Sequence, residues 1–74
     1  MGKQKDLEVV YDVEYITDDG YEKIEGIKSF NKANAEIDKV LVYYKGKEIS
    51  LHCKCWGLDH RNNTKKLIFN KKLK

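Results

Sequence analysis

The stretch LEVVYDVEYIT, residues 7–17, alternates with a period of two, and this alternation constrains the fold more than any other feature of the chain. Leu7, Val9, Tyr11, Val13 and Tyr15 point one way, and Glu8, Val10, Asp12, Glu14 and Ile16 point the other. A helix would scatter both sets around its circumference, so the segment is predicted to be a half-buried strand. Asp18-Asp19-Gly20 follows. Asp-Gly favours a tight turn because glycine accepts positive φ without steric cost. YEKIEGIKSF is then the returning strand. Gly26 interrupts its alternation, and a bulge there would let both Ile24 and Ile27 face the core.

Ser29 or Asn31 can cap a following helix through a side-chain oxygen. Ala33, Ile37, Val40, Leu41 and Tyr44 fall at helical spacing, and Gly46 between Lys45 and Lys47 marks the end. Residues 40–44 are also rich in strand formers, so a short helix over 31–38 followed by a hairpin competes with the preferred longer helix. KEISLHCKCW is predicted as a strand. Ile49, Leu51, Cys53 and Cys55 share one of its faces, and Ser50, His52, Lys54 and Trp56 share the other. GLDHRNN reads as a loop, and TKKLIFNKKLK as a short closing strand with Leu67 and Phe69 inward. The expected fold is α+β. A single small domain spans residues 1–74, with the polar residues 1–6 frayed. It holds an antiparallel sheet of about four strands with one helix packed on one face, in ββαββ order.

HCKCWGLDH, residues 52–60, holds both cysteines, both histidines and the sole tryptophan. Zinc sites favour C-x₂₋₄-C, whereas Cys53 and Cys55 are separated by one residue. On a strand His52 points away from both cysteines, so the thiols are expected to continue the apolar face of Ile49 and Leu51, with no metal and no other cofactor. A Cys53–Cys55 disulfide has poor geometry on a strand. Neither a phosphate-cradling glycine loop nor a His-x-x-x-His pair occurs, so no catalytic residue is assigned and an enzyme is not expected.

Charge is segregated. Residues 1–37 carry nine acids against five lysines, and residues 38–74 carry ten basic residues against three acids. No apolar run approaches the ~20 residues of a membrane span. MGKQKDLE lacks a signal-peptide apolar region, and Asp6 stands where myristoylation wants Ser or Thr. A cytoplasmic protein is expected. The absence of proline and the frequent Lys, Asn and Ile match chains encoded by AT-rich genomes such as those of phages and mobile elements.

A core this small supplies only ~3–5 kcal/mol of net stability, so a second copy of the chain is one natural partner. Five tyrosines and one tryptophan exceed what such a core hides, and these residues anchor protein interfaces. The expected function is non-enzymatic binding: a phage or mobile-element accessory protein that occupies a host protein, such as a nucleic-acid enzyme or defence component, and inhibits it sterically. Asp12, Glu14, Tyr21, Tyr43 and Trp56 are the protein-binding candidates. The alternative is nucleic-acid binding through His52, Lys54, Trp56, Arg61, Lys65, Lys66, Lys71 and Lys72, since a sheet that combines aromatics with cations can stack bases and neutralise phosphates.

Overall fold

Four strands and one helix follow one another as ββαββ in the computed structural model, which describes residues 7–74. They are β1 (Leu7–Thr17), β2 (Gly20–Ile27), α1 (Phe30–Tyr43), β3 (Ser50–Asp59) and β4 (Thr64–Lys72). The strands form one sheet in the order β2-β1-β3-β4, antiparallel throughout. The fraying expected of residues 1–6 lies outside the described residues.

The first hairpin turns through Asp18 and Asp19, with the Thr17 hydroxyl accepting the Asp19 N–H at 3.0 Å. Gly26 makes the predicted bulge. Tyr11 pairs with Ile27 and Val13 with Ile24, so Glu25 and Gly26 together oppose Asp12. Its φ of 69° is left-handed, a region open to glycine and strained for other residues. Both isoleucines consequently pack towards the helix.

Ser29 is the helix cap: its backbone is extended and its hydroxyl accepts the Lys32 N–H at 3.1 Å. Residues 39–43 are helical. The spacing of Ala33, Ile37, Val40 and Tyr44 prevails over the strand propensity of the Val and Tyr residues, because that register seats three of them in the core. Gly46, at φ 83°, lies just beyond the helix.

The helix lies over β1 and β2. Ala33, Ile37 and Val40 meet Val13, Ile27, Leu51 and Cys53, with Tyr11, Tyr15, Ile24, Tyr44 and Ile49 around them. Tyr11 contacts Phe30 and Tyr15 contacts Tyr44, each at 5.8 Å between ring centres, so two tyrosines of one strand bracket the helix.

Two features of the second half differ from expectation. First, β3 begins and ends later than KEISLHCKCW. Gly57, Leu58 and Asp59 are strand, paired with Val9, Glu8 and Leu7 on one side and with Lys66, Lys65 and Thr64 on the other. Pairing on both edges overrides their turn propensity. The loop shrinks to residues 60–63, with Asn63 at φ 55°. Second, Leu67 and Phe69 do not share a face. Cys55 pairs with Phe69 and Trp56 with Leu67, which leaves Ile68 as an extra residue in β4. Leu67 therefore sits on the face of Trp56, and Phe69 on the helix side with Cys55. Gly57 makes room for this bulge, since a Cβ there would stand 3.3 Å from Ile68 Cδ1.

No helix among the described residues is long and apolar enough to cross a membrane.

Candidate binding surface

On the face away from the helix, alternation brings Asp12, Glu14, His52, Lys54 and Trp56 together across β1 and β3, with Asp12 opposite Lys54 and Glu14 opposite His52. Asp12 was expected as an exposed protein-binding residue; it is instead only 4 % exposed. One of its carboxylate oxygens accepts the Trp56 indole N–H at 2.9 Å and the other accepts the Gly26 N–H at 3.3 Å. The charge faces inward because the bulge leaves an amide without a ladder partner, and a buried amide needs one. Glu14 is held by Lys54 at 3.1 Å, and Lys65 lies over the Trp56 ring, 4.2 Å from its centre. Trp56, expected as an exposed anchor, is half-buried and held from both sides.

Tyr21 and Tyr43 are exposed, at 56 % and 78 %. They do not join one surface. Tyr21 sits on β2 opposite Ile16, in a hollow with Glu14, His52 and Lys54, whereas Tyr43 ends the helix on the other side of the sheet. The basic candidates are divided as well. His52, Lys54, Trp56, Lys65 and Lys72 share the face away from the helix, Lys66 and Lys71 line hollows on the helix side, and Arg61 lies in the β3–β4 loop.

The HCKCWGLDH stretch stays one unbroken strand to Asp59. Cys53 and Cys55 are buried on the helix side, and burial raises both thiols above their ordinary pKa, which makes them poor nucleophiles. Burial likewise raises the Tyr11 hydroxyl, which lies beside Cys55. His60 reaches Glu8 at 2.8 Å, and Glu8 also meets Lys28; the bonds from Lys28 and then His60 lower the Glu8 pKa. Asp59 is lowered mainly by hydrogen bonds from Asn62 across the loop. Among the described residues no three of His, Cys, Asp and Glu gather as a metal-binding group.

The surface that the sequence did not single out lies on the helix side. Because α1 covers β1 and β2, the strip between α1 and β4 is open. Phe30, Asn34, Ile37, Cys53, Phe69 and Leu73 line a groove of about 500 Å³ there, with Lys71 at its rim. Further along β4, Leu7, Val9, Gly57 and Ile68 line a second hollow of about 390 Å³, bordered by Lys66 and by Glu8 and Asp59. Every residue of β4 is exposed, Leu67, Ile68 and Phe69 included. The available signal was the run Leu-Ile-Phe between paired lysines: three consecutive apolar residues in one strand cannot all face one core.

No family model, curated protein or solved structure matches the chain.

Proposed function

We propose that the chain is a small protein-binding domain that docks through β4 and the adjoining groove and acts on its partner by steric occupation. One observation carries this reading: a nine-residue edge strand has all its residues exposed, with three large apolar side chains at its centre. An edge strand offers unpaired backbone groups that a partner chain can complete. Exposed phenylalanines beside a groove are the kind of anchor that concentrates binding energy. The acidic hairpin is the weaker candidate surface, since Asp12 is engaged internally and Glu14 is paired with Lys54. A role as a phage or mobile-element accessory protein acting on a host protein is supported by size and composition.

The test compares the wild-type chain with Phe69→Glu as baits in an extract of the native host. A protein held by the wild type and lost with Phe69→Glu, while the circular dichroism spectra coincide, supports the reading. A partner retained by Phe69→Glu but lost on reversing Glu14 and replacing Tyr21 returns the site to the hairpin.

Nucleic-acid binding remains the second reading, favoured by the four exposed lysines of β4, Lys65, Lys66, Lys71 and Lys72. Phosphate contacts lower log K by ~0.7 per log salt for each contacted phosphate of a single strand, so oligonucleotide binding that follows this slope and survives Phe69→Glu would favour the nucleic-acid reading.

A further inference from the structure

We propose that the outer edge of β4 accepts an acidic, extended segment of a partner protein as a fifth strand, with its apolar side chains packed beside Ile68, Phe69 and Leu73 on the helix side. The inference rests on β4 being the docking surface and adds the chemistry of what docks.

The edge is available: β4 is last in the order β2-β1-β3-β4, so among the described residues its outer backbone groups have no strand partner. Ile68, Phe69 and Leu73 are exposed along the helix side of that edge. In an added strand, side chains on one face recur every ~6.6 Å, so its helix-side residues stand beside these three in turn. All three are apolar, which asks for apolar residues at every second position.

Charge decides the residues between. β4 carries four lysines and no acid. Lys66 and Lys71 rim the hollows, and Lys65 and Lys72 pair with Leu58 and His52 towards the other face. A neighbouring strand therefore meets cations on both sides, and acids answer them. The molecule already contains such a pairing. β1 alternates acids with Val and Tyr beside lysine-bearing β3, with Glu14 on Lys54 at 3.1 Å while Val13 is buried in the core.

A second copy is a poorer occupant of the same edge. Antiparallel pairing of two β4 strands that keeps each lysine on its own face would set Lys66 against Lys71 and Lys65 against Lys72, and like charges directly opposite are destabilising. A single-stranded nucleic acid would answer the lysines and leave the apolar side chains unused.

The test pans the full chain against a displayed library of random short peptides, then titrates the isotope-labelled chain with the enriched peptide. The expected result is enrichment of sequences that alternate Asp or Glu with apolar residues, with resonance shifts on β4 and at Leu73. Lys66→Glu with Lys71→Glu should weaken that peptide about tenfold, since two exposed charge pairs are inverted. Both lysines are exposed, so the fold should persist, and circular dichroism checks this. Enriched peptides of helical period, or shifts confined to β2, would overturn the fifth-strand proposal and leave protein binding standing. Self-association lost on Phe69→Glu, with no peptide enriched, would overturn it in favour of a second copy. Tight binding of a single-stranded oligonucleotide along β4, again with no peptide enriched, would overturn both the proposal and the reading beneath it.

Discussion

Compare the two edges of the sheet. At β2 the helix lies overhead, Ile24 and Ile27 face it, and Lys23 and Glu25 pair at 2.8 Å. At β4 no helix lies overhead, three apolar residues face solvent, and four lysines stand without an acid in the strand. β2 turns its apolar residues under the helix, while β4 leaves its own in solvent. The difference comes from the placement of a single helix. A 14-residue helix cannot cover a four-stranded sheet, and the bracket of Tyr11 on Phe30 and Tyr15 on Tyr44 fixes which half it covers.

The largest expected effect is on the covered half. Leu51 is fully buried under the helix, and Leu51→Ala should cost ~2–5 kcal/mol. That is comparable with the ~3–5 kcal/mol such a domain holds in all, so urea titration should find the variant largely unfolded. A wild-type-like midpoint would mean that the core does not lie where the comparison puts it.

Asp12→Ala should come next, at about 1–3 kcal/mol, because it strands the Trp56 indole N–H and the Gly26 amide together. Asp12→Asn, which keeps an acceptor, should recover part of the loss in the same titration.

A smaller effect should follow acidification. Glu8 and Asp59 titrate below their ordinary values of 4.5 and 3.8 in the folded chain. Their stabilisation is complete above those unfolded values and is lost as pH falls through the lowered folded ones. Thermal melts should show the decline on the acid side of pH 4.5. Glu8→Gln should flatten it by removing the titrating charge beside Lys28 and His60.

The smallest stability change is expected at the open edge, where Lys66→Ala on the exposed strand should stay within ~0.5 kcal/mol. A large loss of stability there would erase the contrast between the two edges.

The covered half was legible in the sequence because its signals are local. Alternation in residues 7–17, the Asp-Gly turn, the interruption at Gly26, the Ser29 cap and the helical spacing from Ala33 to Tyr44 each occupy a few neighbouring residues. The cysteines likewise continue the Ile49 and Leu51 alternation into the core. What escaped reading depends on distant partners. Asp12 turns inward to serve an indole 44 residues away, and nothing near it in the chain announces this. Gly57 to Asp59 look like a loop until β1 and β4 pair with them. The bulge at Ile68 carries no glycine of its own; its marker, Gly57, lies on the neighbouring strand. Periodicity shows that a helix has an apolar stripe, but it does not show which strands the stripe will cover, and so the open groove was invisible.

Trp56 belongs to β3, is hydrogen-bonded to Asp12 of β1 and carries Lys65 of β4 against its ring. It is the sole indole of the chain. The protein therefore carries a built-in optical gauge, whose emission answers to three strands at once. Light collected from that one chromophore reports whether the outermost strand is seated on its neighbour, with no label attached.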